Sequence, residues 1–97
     1  MTTCYINGKY KPLSQSTVSV TDRGYQFSDG VYEVIAVFKN EFVDFKLHLN
    51  RLFVSLKKMD MKINLNKNQI ESIIKKIKKI NQLEMGIVYI QITRGDQ

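Results

Sequence analysis

Residues 31–38 read VYEVIAVF, a run of eight residues that bears directly on the fold class. β-Branched and aromatic side chains dominate it, which is typical of a β-strand. Successive side chains of a strand point to opposite faces, so the stretch has two faces. One face carries Val31, Glu33, Ile35 and Val37, and the other carries Tyr32, Val34, Ala36 and Phe38. Because both faces are mostly apolar, we predict a central strand with neighbours on both sides.

The strand is followed by a turn signal and a second extended stretch. Lys39 and Asn40 make the turn, and EFVDF at residues 41–45 is predicted to return as the hairpin partner. On the other side, MGIVYIQITRG at residues 85–95 predicts a strand around residues 87–92 that is apolar on both faces.

A hairpin is also predicted near the start of the chain. Asn7 and Gly8 lie between two short extended stretches, and both favour the positive φ of a two-residue type I′ turn. Pro12 ends the second of these strands because it has no N–H for the ladder. Beyond it, LSQSTVSV predicts a polar loop that leads into a short extended piece at residues 18–20.

Two helices are predicted between residues 47 and 82. The first has apolar side chains at helical spacing, namely Leu49, Leu52, Leu56 and Met59, with Phe53 widening the stripe. The second has its own stripe of Ile70, Ile73, Ile74, Ile77 and Ile80. Asn68 with Glu71 fits a capping box at its start, and Asn66 with Gln69 is the alternative register.

These elements predict one domain of class α+β over the 97 residues. We expect a two-layer sandwich, in which an antiparallel sheet is covered on one face by two helices. The leucine stripe and the isoleucine stripe are both expected to point at the sheet.

Composition narrows the function. The chain has one cysteine and one histidine, which excludes an internal disulfide framework and a structural zinc site, so no metal is expected. Cys4 has no basic neighbour and is unsuited to be a nucleophile. No signal pattern and no membrane-length apolar run is found, so a soluble protein of the cytoplasm is expected.

The net charge of +6 comes largely from lysines in residues 57–79. A solvated helix face is the favoured interpretation, because the lysines fall off the isoleucine stripe and complement the helix dipole near its end. A small basic module that binds nucleic acid through this helix is the alternative from another class of function.

Arg51 and His48 lie one helical turn apart, so both are expected on one side of the first long helix. Arg51 could hold a phosphate with its forked donors, or it could pair with Asp44 or Glu33. From the residue types alone the ion pair is favoured, and His48 is expected to cap or pack.

The segment DRGYQFSDG at residues 22–30 precedes the central strand and is rich in turn residues. Asp22 and Arg23 suggest a local ion pair that shapes a turn, and Asp29-Gly30 is a turn dipeptide. Tyr32 and Glu33 follow at the head of the strand, where sites are often found. They could equally be a core tyrosine and an edge glutamate.

Four motifs in order, NGKYKPL, DRGYQFSDGVYEV, HLNRL and YIQITRG, resemble the amino-terminal part of the class IV (fold-type IV) pyridoxal-phosphate aminotransferases. The second motif is most similar to the D-amino acid aminotransferase branch. The resemblance covers the whole chain. It implies the small domain of the family's fold, pyridoxal 5′-phosphate as cofactor, and a homodimer in the cytoplasm.

The resemblance also implies roles for particular residues. Arg51 matches the arginine that binds the cofactor phosphate, which reverses the preference for an ion pair. Tyr32 matches a tyrosine that contacts the substrate carboxylate, and Val34 matches a residue facing the substrate. Ser28 stands where the family usually has glycine, which would strain the loop if that position needs positive φ.

The activity implied is transfer of an amino group between D-amino acids, such as D-alanine, and 2-oxo acids, such as 2-oxoglutarate. An aminodeoxychorismate lyase or a branched-chain aminotransferase is the alternative within the family. The family's Schiff-base lysine lies beyond residue 97, so no catalytic residue is expected here. We therefore expect a domain truncated before the catalytic-lysine domain and inactive alone. Its face bearing Tyr32 and Val34 should be partly exposed, or covered by self-association.

Overall fold

A computed structural model describes residues 1–96 of the chain. The strands are β1 (Thr3–Ile6), β2 (Lys9–Pro12), β3 (Gly30–Phe38), β4 (Glu41–Phe42) and β5 (Gly86–Thr93). The helices are α1 (Arg23–Phe27), α2 (Phe45–Lys58) and α3 (Lys67–Ile80), and Leu13–Gln15 form a short 3₁₀ turn. The predicted α+β class with antiparallel sheets is confirmed.

The strands form two sheets instead of one. β1 and β2 pair as an isolated hairpin, and β3 lies between β4 and β5 in a three-stranded antiparallel sheet. The side-chain amide of Asn81 accepts from the N–H of Thr3 at 2.8 Å and donates to its carbonyl at 2.9 Å. The edge of β1 is thus bound by the end of α3, which occupies the place of a neighbouring strand.

Both hairpin turns follow the sequence prediction. Asn7 and Gly8 have φ of 48° and 88°, and Lys39 and Asn40 have φ of 48° and 68°. Positive φ at both central positions is the signature of the type I′ turn, whose twist matches that of its strands.

Two extended stretches are shorter than predicted. β4 stops at Phe42 because Asp44 takes a left-handed φ of 53° and α2 begins at the next residue. Residues 18–20 form no strand, so that expectation is wrong. There the Ser19 and Thr21 hydroxyls lie 2.8 Å apart, and the N–H of Thr21 donates to Ser19 Oγ at 3.2 Å. Such local bonds offer the backbone an alternative to a ladder.

The core lies between β3 and α2. Val31, Glu33, Ile35 and Val37 on one face of β3 are all buried, as the alternation predicted. Leu49, Leu52 and Leu56 of α2 pack against them. Of the isoleucine stripe, Ile70 and Ile74 are buried, and α3 contacts α2 and β1.

The start of α3 follows the alternative register of the capping box. Asn66 Oδ1 accepts from the N–H of Gln69 at 2.9 Å, and Gln69 Oε1 accepts from the N–H of Asn66 at 2.8 Å. The pairing of Asn68 with Glu71 is therefore wrong, and Glu71 binds Lys75 at 2.6 Å. In residues 1–96, none of the helices is long and apolar enough to cross a membrane.

Candidate active site

The segment before β3 is a one-turn helix rather than a plain turn. The carboxylate of Asp22 caps α1 by accepting from the N–H of Gly24 at 2.8 Å, and the helix ends at Ser28 in the left-handed region. The expected ion pair between Asp22 and Arg23 is wrong, because Asp22 is occupied as a cap. Its other oxygen accepts from the hydroxyl of Thr93 at 3.1 Å, which links α1 to β5.

Asp29 joins α1 to the end of β5. Its two oxygens accept from Arg23 Nε and Arg94 Nε, each at 2.8 Å, and its side chain is 14% exposed. These arrangements keep the pKa of Asp29 below its ordinary value, with the hydrogen bond from Arg23 as the largest cause. Arg94 also donates through Nη2 to the carbonyl of Met59 just after α2. The two arginines therefore hold three segments together.

The glycines of the same segment allow it to lie close to β5. A Cβ on Gly24 would lie 2.1 Å from Cγ2 of Thr93, and a Cβ on Gly30 would lie 2.6 Å from the carbonyl oxygen of Ile92. The Asp22 cap, the ion pairs of Asp29 with Arg23 and Arg94, and the two glycines together explain why residues 22–30 are rich in turn residues. This chemistry fixes the head of β3, where Tyr32, Glu33 and Val34 lie.

Glu33 is the one charged side chain buried in the described part of the chain, at 5% exposure. Arg51 Nε donates to Glu33 Oε2 and Arg51 Nη2 donates to Oε1, each at 2.9 Å. His48 Nδ1 lies 2.7 Å from the same Oε1. The ion pair that residue types alone favoured is thus present, with Glu33 rather than Asp44 as the partner.

The chemistry of Glu33 fixes the tautomer of His48. An ionised carboxylate only accepts hydrogen bonds, so the hydrogen of this contact lies on His48 Nδ1. Arg51 Nη2 is 3.4 Å from that nitrogen and cannot donate to it. The three donors keep the pKa of Glu33 below its ordinary value against the opposing effect of burial, and the hydrogen bond from Arg51 is the largest cause.

The guanidinium of Arg51 keeps one edge free for an anion. Glu33 occupies the side edge, made of Nε and Nη2, while the side chain as a whole is 59% exposed. Nη1 and the second hydrogen of Nη2 make no hydrogen bond to any residue among 1–96. A guanidinium has five donors, so an end-on pair remains for the oxygens of a phosphate. The free edge of Arg51 is therefore chemically suited to a phosphate group.

Tyr32 and Val34 lie on the other face of β3, which is open. Tyr32 is 64% exposed and Val34 is 37% exposed. The ring of Tyr89 on β5 stacks on that of Tyr32 at 6.0 Å between centroids, and its hydroxyl donates to Gln91 at 2.9 Å. The alternation of β5 places Tyr89 and Gln91 on this face, which corrects the expectation of a strand that is apolar on both faces.

The pKa of Arg51 is raised above its ordinary value, chiefly by the hydrogen bond and the charge of Glu33, with the phenol of Tyr32 as a minor cause. A cavity of about 460 Å³ lies elsewhere, lined by Arg23, Asp29 and Arg94 among others, and it does not include Arg51 or Tyr32.

The part of the chain that begins at β3 matches a known protein family. The family model described as "Amino-transferase class IV" matches residues 30–97. The chain belongs to the class IV aminotransferase family.

Two relatives within this family are similar to the chain over most of its length. A D-alanine aminotransferase of Listeria monocytogenes is 37% identical over 92 residues, which are 95% of this chain and 32% of the relative. A D-alanine aminotransferase of Staphylococcus aureus is 34% identical over 91 residues, which are 94% of this chain and 32% of the relative. The chain thus spans about a third of the length of the relatives that it matches.

Solved structures agree on the fold. The T.th. branched-chain amino acid aminotransferase complexed with N-(5′-phosphopyridoxyl)-L-glutamate superposes with a TM-score of 0.86 at 21% identity, covering 94% of this chain and 32% of that one. The Escherichia coli branched-chain amino acid aminotransferase superposes with a TM-score of 0.86 at 18% identity, covering 93% and 31%.

Proposed function

We propose that these residues are the small domain of a pyridoxal-phosphate-dependent aminotransferase that acts on D-amino acids and 2-oxo acids. D-Alanine and 2-oxoglutarate are the substrates that we expect. The observation that carries the proposal is the identity of 37% over 92 residues to a D-alanine aminotransferase. The open face of β3 and the free edge of Arg51 add chemical support.

Three side chains have proposed roles. Arg51 holds the cofactor phosphate through Nη1 and Nη2, as a charge-assisted pair of hydrogen bonds. Tyr32 presents its phenol to the substrate carboxylate, and Val34 borders the substrate side chain. Pyridoxal 5′-phosphate, when bound, supplies the electron sink that lets an amino group leave one substrate and enter another.

We also propose that the functional enzyme is a homodimer in the cytoplasm and contains a further domain with the catalytic lysine. The open face of β3 and β5 carries large exposed apolar side chains, including Tyr32, Phe38, Ile87 and Tyr89. Contiguous apolar surface of this kind usually meets another surface. A covered face in the full assembly would also exclude water from the substrate.

Transamination of branched-chain amino acids is the second candidate. It is supported by the solved branched-chain aminotransferases that share this fold with a TM-score of 0.86. Their identity of 18–21% is lower than that of the D-alanine aminotransferases, which is why we place it second.

A chimera tests both candidates. This chain would replace the matching third of the Listeria monocytogenes D-alanine aminotransferase, with circular dichroism and gel filtration to verify folding. We expect turnover of D-alanine with 2-oxoglutarate, and a weakened cofactor affinity in the same chimera with Arg51→Lys. A folded chimera that acts on L-leucine and not on D-alanine would support the second candidate instead. A folded chimera that binds the cofactor but transfers neither amino group would contradict both.

A further inference from the structure

The geometry points to Glu33 as a positioning residue that decides which edge of Arg51 meets an anion. This inference rests on the proposed function, because it takes Arg51 to be the phosphate anchor. It assigns to Glu33 the task of closing the side edge of the guanidinium and leaving the end-on edge open.

The first support is the pairing itself. A guanidinium can bind an anion through its side edge, Nε with Nη2, or through its end-on edge, Nη1 with Nη2. Glu33 takes the side edge with two bonds of 2.9 Å. An approaching phosphate would have to break both bonds to use that edge, so only the end-on edge stays available.

The second support is the burial of Glu33. The carboxylate is 5% exposed and lies on the core face of β3, whereas Arg51 is 59% exposed. Because β3 fixes Glu33 between packed neighbours, the position of the carboxylate is rigid. The carboxylate therefore orients the guanidinium of Arg51. An exposed arginine otherwise loses rotamer freedom when it is ordered.

The third support is His48. Its Nδ1–H contacts Glu33 Oε1 at 2.7 Å and comes from the same side of α2, one turn before Arg51. This bond occupies Oε1 together with Arg51 Nη2, which leaves the carboxylate little freedom to rotate. His48 thus stabilises the position of Glu33, and Glu33 in turn orients Arg51.

Arginine side-chain NMR with inorganic phosphate as the probe tests the inference on the 97-residue chain. Arg51 signals are assigned by their loss in Arg51→Lys, and sodium chloride of equal ionic strength is the salt control. In the wild type we expect phosphate to shift the Nη hydrogens and to leave Nε–H several times less affected. In Glu33→Gln we expect Nε–H to shift as well, because the uncharged amide has one acceptor oxygen in place of two and holds the side edge less strongly. The matched variant Glu71→Gln, which removes a half-buried carboxylate that binds Lys75 on α3, should behave as the wild type.

The results for the wild type distinguish a failure of the role of Glu33 from a failure of Arg51 as the phosphate anchor. If phosphate shifts Nε–H of the wild type as much as the Nη hydrogens, Glu33 does not direct the anion and the inference is wrong. This comparison needs no change at Glu33, so it holds even if Glu33→Gln fails to fold. If phosphate moves no Arg51 signal in the wild type, the proposed anchor is wrong and the inference falls with it.

Discussion

Glu33 and Arg51 form a two-bond ion pair in which the carboxylate is buried and the guanidinium is largely exposed. Breaking such a pair is asymmetric, because the member left behind determines the cost. Without Arg51 the carboxylate stays buried with His48 as its partner, whereas without the charge of Glu33 the guanidinium can be hydrated.

The first prediction follows from this asymmetry. Arg51→Met should lower the melting temperature more than Glu33→Gln does. We expect a difference of about 4–8 °C, the shift that about 1 kcal/mol of stability produces in a domain of this size. Thermal unfolding followed by circular dichroism measures it. Equal melting temperatures would show that in Arg51→Met the carboxylate of Glu33 is hydrated or moves, so that the loss of Arg51 does not destabilise the chain further.

The pH dependence of stability is the second prediction. The pKa of Glu33 is lower in the folded chain than in the unfolded chain, so the folded state binds fewer protons. The stabilisation from Glu33 is therefore complete above its unfolded value of about 4.3 and is lost as the pH falls further, through the folded pKa.

Urea unfolding of the wild type and of Glu33→Gln between neutral and acidic pH measures this. The stability difference between the two should be constant at neutral pH and should shrink in the acidic range. Glu84→Gln is the matched control for the loss of a carboxylate, since the side chain of Glu84 has no hydrogen-bond partner in residues 1–96. A Glu33→Gln curve parallel to the wild type would contradict the prediction.

Periodicity predicted the elements well because it reports burial directly. The alternation of residues 31–38 assigned every side chain of β3 to the correct face, and the spacing of Leu49, Leu52 and Leu56 assigned the buried face of α2. The split into two sheets was not predictable in this way. The outer edge of β1 is bound by Asn81, a single side chain far along the chain, and neither alternation nor helical spacing encodes that contact.

The site was predicted in parts. Residue types suggested that Arg51 pairs with a carboxylate, and the resemblance suggested that it binds a phosphate. The structure makes the two compatible, because the pair with Glu33 uses one edge of the guanidinium and leaves another. Which edge is used depends on three-dimensional placement, which neither spacing nor motif encodes.

Ser28 carries the third prediction. It ends α1 with φ of 54°, a left-handed conformation that costs a residue with a Cβ about 1 kcal/mol. Ser28→Gly should stabilise the chain by about 0.5–1 kcal/mol, after allowing for the greater freedom of glycine when unfolded. Ser28→Ala is the matched control and should bring no gain, because alanine meets the same strain. Chemical denaturation measures both, and a gain with alanine would locate the cost in the hydroxyl instead.

The fourth prediction concerns activity of the chain alone. The open face of β3 and β5 carries Tyr32, Val34, Ala36, Phe38, Ile87, Tyr89 and Gln91, and none of these is a lysine. The chain should therefore show no turnover of D-alanine with 2-oxoglutarate, and pyridoxal phosphate bound to surface lysines should be lost on dialysis. A visible spectrum and a coupled assay after dialysis measure this. A stable one-to-one adduct with turnover would mean that a lysine in this chain does the chemistry.

Gly24 and Gly30 carry the last prediction, because both lack room for a Cβ but for different reasons. The Cβ of alanine at position 24 would meet the Thr93 side chain, and at position 30 it would meet the backbone oxygen of Ile92. Gly24→Ala and Gly30→Ala should each destabilise the chain by about 1–3 kcal/mol, the usual cost of overpacking.

Thr93→Ser distinguishes the two clashes. It removes the methyl group that lies 2.1 Å from the added carbon, while its hydroxyl can still donate to Asp22. It should therefore recover part of the stability of Gly24→Ala, and only part, because Thr93 Cβ would still lie 2.9 Å away. Thr93→Ser should recover less of the stability of Gly30→Ala, since the main clash there is with the backbone oxygen of Ile92, which the substitution does not remove. Double-mutant cycles by urea unfolding measure both couplings. Equal recovery in the two backgrounds would show that Thr93→Ser acts on β5 in general and not on the contact with Gly24.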